Sequence, residues 1–95
     1  MVNVDTKDEN INMEIFFAVR KGVNVVTPDI ISYERKGDYV IEVSKGRFLD
    51  SYLFGVTVVN AITRVAEWDK DKCFSARTER EAYLEAMEYV NSFGK

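Results

Sequence analysis

The chain has 95 residues, a net charge of -3, one cysteine and no histidine. That is enough for one modest domain, and it rules out Ser-His-Asp and Cys-His catalysis, His-containing zinc sites, CxxC redox pairs and thiolate clusters within one chain. Apolar residues make up 46% and charged residues 31%, which is ordinary globular composition rather than that of a disordered or fibrous chain. A lone cysteine cannot staple the chain to itself, and no stretch joins a basic start, an apolar run and a small-residue cleavage site, so a cytoplasmic protein is expected. Membrane insertion is not expected, because the longest apolar candidate, "YLFGVTVVNAI", contains Thr57 and Asn60 and stops short of the roughly 18 to 20 residues a span needs.

In chain order, "MVNVDTKDENIN" is polar, acidic and aperiodic, which assigns residues 1–12 to a disordered tail and residues 13–95 to a single domain. "MEIFFAVR" alternates, with Met13, Ile15, Phe17 and Val19 on one side, and is expected to be a first strand. "KGVNVVTPDI" carries Gly22, Asn24 and Pro28 and fits a turn or edge segment. "IISYERKGDYVIEVSKG" is the clearest hairpin, with Lys36 and Gly37 at its tip. A three-residue loop that pairs Tyr33 with Ile41 gathers Ile31, Tyr33, Ile41 and Val43 on one side, and that register is expected.

Asp50 and Ser51 then supply turn material, and Tyr52 to Val59 reads as another strand in which Gly55 marks a bulge. In "NAITRVAEW" Val58, Ile62 and Val65 keep helical spacing while Ile62, Arg64, Ala66 and Trp68 alternate; strand is the preferred reading. The last element is a helix. Thr78 followed by Glu81 forms a capping box, Tyr83, Met87 and Val90 form an apolar stripe flanked by Ala82, Ala86 and Phe93, and Gly94 supplies the stop. The fold class is therefore α+β: an antiparallel sheet of about four strands, packed on one face by a single C-terminal helix.

Candidate chemistry is sparse. Cys73 lies five residues before the N-cap, outside the first turn where a helix dipole acts, and is expected to be a packing residue at the end of a strand. Asp69 and Asp71 resemble the start of a calcium loop, but Cys73 occupies the third ligand position and no glycine follows, so a solvated turn is expected. Glu85 and Glu88, one turn apart, lack anything to desolvate them as an acid–base pair. Isolated Lys-Gly pairs are turn signals rather than a phosphate loop. No catalytic set, metal site or cofactor is expected.

Two surfaces remain. Glu81, Glu85 and Glu88 are placed on the side of the helix away from its apolar stripe and form an acidic face for a partner protein. Arg35, Lys36, Lys45 and Arg47, with Arg20 and Lys21, fall at strand ends or turns, where Phe16 and Phe48 could serve as stacking platforms for RNA. The acidic total, the interspersed Asp29, Glu34, Asp38 and Glu42, and the lack of a ribonucleoprotein-type aromatic motif argue against RNA. Large apolar residues on the strands (Phe16, Tyr39, Phe48, Tyr52, Phe54) exceed what one helix covers, which makes a homodimer or partner surface an option. The preferred function is a non-enzymatic accessory protein that binds another protein, of inhibitor or adaptor type and of the kind viruses and mobile elements encode. The second reading is a small RNA-binding domain, and the third an enzyme using carboxylates alone.

Overall fold

β-branched and aromatic residues dominate from Tyr39 to Val59, and this stretch forms the two long central strands of an antiparallel sheet. The computed structural model describes residues 9–20 and 29–93. Their elements are α1 (Glu9–Val19), β1 (Asp29–Lys36), β2 (Tyr39–Phe48), β3 (Ser51–Asn60), β4 (Val65–Ala66), a 3-10 turn (Trp68–Lys70), β5 (Lys72–Ala76) and α2 (Glu79–Ser92). The strands lie in the order β1-β2-β3-β4, with β5 also pairing β3. The α+β class, the antiparallel sheet and the C-terminal helix packed against it are as expected.

The helix backing the sheet is not alone. Residues 13–20, expected as a strand, belong to α1 or follow directly on it, and α1 starts at Glu9, inside the stretch assigned to a tail. α1 covers the sheet face opposite α2, burying Phe16 against Tyr33, Val40, Val59 and Ala61. The segment alternates in sequence, but Asn12, Phe16 and Arg20 recur at four-residue spacing and are the residues α1 buries. Of the turn or edge segment expected over residues 21–30, Asp29 and Ile30 open β1 and the rest lies outside the described residues, as does Gly94.

That second helix also explains the hairpin. Lys36 pairs with Tyr39 around a two-residue loop of Gly37 and Asp38, and Tyr33 stands opposite Glu42 rather than Ile41. Gly37 has φ +60° at the first loop position, the conformation a primed hairpin turn asks of glycine. Gathering every apolar residue on one face is favoured only when one face is buried. Here both are, so Ile41, Val43, Val56 and Val58 face α2 while Val40 and Val59 face α1. Gly55 sits in continuous register rather than at a bulge. A Cβ there would stand 3.0 Å from the Oγ of Ser44, its neighbour on β2.

β4 and β5 both pair with β3 on the edge away from β2. Val65 and Ala66 stand opposite Asn60 and Val59, and Lys72 to Ala76 opposite Val56 to Tyr52. Between them the five residues Glu67 to Asp71 face only Thr57 and Val58. β4 and β5 are thus one edge strand interrupted by an excursion, a large relative of a bulge. The strand expected through residues 60–68 is confined to Val65 and Ala66, because the chain turns at Arg64, where φ is 62°.

Candidate functional site

Thr78 caps α2 as its sequence demands: its Oγ1 accepts the Glu81 N–H at 3.2 Å and donates to the Glu81 carboxylate at 2.9 Å. The helix then lays Ala82, Ala86 and Val90, all fully buried, against Ile41, Val43, Phe54, Val56 and Val58. These small residues repeat every fourth position and so form the centre of the buried stripe. Met87, Tyr89 and Phe93 pack around it, and Tyr83 is exposed. With the stripe centred there, Glu85 lies on the flank that borders β5, and Glu81 and Glu88 lie further round toward the outer side of the helix. Glu81 and Glu85 line an open groove with Ser75, Ala76, Arg77 and Leu84. Glu85 and Glu88 line the adjoining one with Phe74, Tyr89 and Ser92. The structure therefore brings all three predicted carboxylates together, beside a strand whose outer side pairs with no other strand among the described residues.

β5 alternates as expected, but with its residues in the opposite roles. Phe74 turns toward α2 and is half-buried against Tyr89, whereas Cys73 is exposed. The packing thiol expected from the sequence is thus corrected: Phe74 takes the inward position, and α1 does not extend over this end of the other face.

The basic residues are dispersed. Arg35 and Lys36 stand at the β1–β2 turn, and Lys45 and Arg47 near the far end of β2. Six positions along β2 separate Tyr39, the neighbour of Lys36, from Lys45, roughly 20 Å of strand. Arg35 Nε donates to the Gly37 carbonyl at 2.8 Å, and Lys36 lies 4.0 Å from Glu34. Lys45 lies 3.7 Å from Glu79, and Arg47 stands over the Tyr52 ring. Phe16 is buried, the Phe48 side chain lies outside the described residues, and Lys21 does too. The other strand aromatics pack internally, Phe54 in the core and Tyr39 and Tyr52 against its rim.

Sequence reasoning missed the best-built polar cluster. Arg20 at the end of α1 is 5% exposed. Its Nη2 donates to the Val58 carbonyl at 2.8 Å and to Asp71 Oδ1 and Oδ2 at 2.9 and 3.1 Å, and its guanidinium stands 4.0 Å from the centre of the Trp68 ring. Asp71 Oδ1 also accepts the Val58 N–H at 3.0 Å, and the Val58 carbonyl accepts the Glu67 N–H. Where the edge strand loops away, an Arg–Asp pair and one backbone donor fulfil the hydrogen bonds a continuous strand would have made. From the other face, Tyr89 of α2 donates its hydroxyl to the Lys70 carbonyl. Burial pushes that hydroxyl above its ordinary range, with Lys70 opposing and Asp71 and Asp69 adding to the shift. The signal available in the sequence was the polar insert "DKD" interrupting an otherwise alternating run.

This cluster also explains why Asp69 and Asp71 are not a paired ligand set: Asp71 is committed to Arg20 and Val58, while Asp69 is exposed and lies 3.9 Å from Lys70. A buried carboxylate, Glu42, accepts from the Tyr33 hydroxyl at 2.9 Å and Thr57 Oγ1 at 3.3 Å, its two cross-strand neighbours. Both groups serve the sheet. Among the described residues no helix is long and apolar enough to cross a membrane. Comparison of the chain with protein-family models, curated proteins and solved structures finds no match.

Proposed function

We propose that this chain is a non-enzymatic, cytoplasmic accessory protein that acts by binding another protein, as an inhibitor or adaptor, through the carboxylate flank of α2. The observation that carries this reading is the grouping of Glu81, Glu85 and Glu88 along two adjoining grooves, with Phe74, Leu84 and Tyr89 between and beside them. Three carboxylates outnumber the neighbouring Arg77 and Lys72, and an excess of negative charge beside partly exposed apolar surface favours a partner of the opposite charge and speeds its approach. The buried polar groups, in contrast, are engaged in holding strands and helices together. The dispersal of Arg35, Lys36, Lys45 and Arg47 gives an RNA backbone no continuous basic track.

The test is affinity capture from cell extract with the wild-type chain and with a Glu81→Gln/Glu85→Lys/Glu88→Lys variant, before and after nuclease. Gln at position 81 preserves the capping box. One stoichiometric protein that survives nuclease and is lost in the variant is expected. Capture that is indifferent to the charge reversal would discard this surface. A labelled RNA that binds and is released when Arg35, Lys36, Lys45 and Arg47 are neutralised would replace the protein reading with the RNA one.

A further inference from the structure

Resting on the protein-binding reading, we propose that the partner presents an extended segment that adds a strand to the outer edge of β5, with lysine or arginine at alternate positions facing Glu81, Glu85 and Glu88. The sheet has two kinds of edge. β1 is broken by a register shift between Ile30 and Ser32, a bulge of the kind that blunts an edge. β5 runs in unbroken register from Lys72 to Ala76 and contains neither proline nor bulge. Its outer side pairs with no other strand among the described residues, and its backbone groups there are a template for one more strand.

The grooves between β5 and α2 hold Glu81, Glu85 and Glu88 against Arg77 and Lys72, the latter over the Tyr89 ring, so carboxylates are in excess there and charge selects what can use that template. A second copy of this chain is a poor occupant, because pairing β5 with β5 across a two-fold axis would bring two sets of Glu81, Glu85 and Glu88 toward each other. A basic strand meets the opposite situation. Alternate side chains of a strand lie roughly 6.6 to 6.8 Å apart, and the helix advances roughly 10 Å from Glu81 to Glu88 at 1.5 Å per residue. Two or so basic side chains on the α2 side of the added strand would therefore run beside the three carboxylates. Their aliphatic stems would lie over Phe74, Leu84 and Tyr89, which line the same grooves. On the other side the intervening side chains would meet Cys73 and Ser75, both exposed, which suits small polar residues there. The recognised feature is thus an alternation of basic and small polar residues in extended backbone, not basic charge alone.

The probe is a capped synthetic peptide, Lys-Thr-Lys-Thr-Lys-Thr-Lys, titrated at low ionic strength into the isotope-labelled full chain while amide chemical shifts are followed. Two further versions carry N-methyl groups, one on the lysine nitrogens and one on the threonine nitrogens. In an antiparallel ladder only alternate residues turn their N–H toward the partner strand. The expected result is shifts centred on residues 72–76 and 81–88, with one methylated version weakened about tenfold or more and the other unaffected. Glu81→Gln/Glu85→Gln/Glu88→Gln, which keeps the cap, should weaken the parent peptide about tenfold. Equal binding by the parent and both methylated versions would overturn strand addition and leave charge attraction alone. Shifts centred on β1, binding unchanged by the triple Gln variant, or no binding by the parent peptide would also overturn it. The capture experiment reads the protein-binding proposal independently of all these outcomes.

Discussion

Under α2 the sheet is dry: Ile41, Val43, Phe54, Val56 and Val58 meet Ala82, Ala86 and Val90 with no buried polar side chain among them. Under α1 the same sheet mixes Phe16, Tyr33, Val40 and Val59 with buried Asn12, Arg20 and Glu42, and two polar atoms, Asn12 Oδ1 and Arg20 Nε, have no hydrogen-bond partner among the described residues. An apolar face is held by buried area spread over many contacts, whereas a polar one is held by a few directional bonds and fails when one partner is lost. α2 should therefore be bound as part of the global fold, and α1 as a unit that can open locally.

The sharpest way to break this comparison is on the dry side. Phe54→Ala deletes a ring that is 1% exposed and should cost about 4 kcal/mol, read by denaturant unfolding, with amide exchange rising over both helices together. Exchange confined to α2 would mean that the two faces do not share a cooperative core.

Next in size, Asp71→Ala leaves the Arg20 guanidinium buried without its carboxylate and removes the acceptor of the Val58 N–H. About 3 kcal/mol is expected, the low end for breaking a buried pair because the Asp71 side chain is 27% exposed. Exchange should rise over residues 11–20 while α2 stays protected. Equal deprotection of α2 would remove the distinction between the faces.

The smallest effect lies where α2 reaches the excursion. Tyr89→Phe loses the hydrogen bond to the Lys70 carbonyl, a change of about 1 kcal/mol. Because burial raises the hydroxyl pKa in the folded state, its contribution is fully present below the unfolded value of about 10 and is lost as pH rises through the folded value. The stability difference between wild type and Tyr89→Phe should accordingly shrink above pH of about 10. A difference constant across that range would show that the hydroxyl gains nothing from its setting.

The dry face was legible in part: Ile41, Val43 and Val90 follow from period, but Tyr33 belongs to the other face and the helix stripe is centred on Ala82 and Ala86 rather than on the exposed Tyr83. The Thr78 cap and the Tyr39 to Val59 strands needed only local rules, and the three carboxylates followed from helical spacing. The α1 face was not legible, because its anchors are separated by long stretches of chain: Arg20 reaches Val58 and Asp71, and Asn12 Nδ2 reaches the Tyr33 carbonyl at 3.4 Å. Alternation in "MEIFFAVR" suited a strand equally well, and only the available sheet face decided for a helix. Cys73 was misplaced for a related reason, since inward and outward on β5 depend on which helix lies over each end of the sheet.

By itself the sequence determined the class of fold, the start of α2, the hairpin and the grouping of Glu81, Glu85 and Glu88, all consequences of backbone geometry over a few neighbouring residues. The tertiary structure alone decided which faces are buried, and from that the hairpin register, the helical state of residues 9–19 and the looping out of Glu67 to Asp71. It also decided that the acidic stripe borders a strand edge that pairs with no other strand among the described residues, because the flank of a helix acquires a neighbour only once the helix has packed.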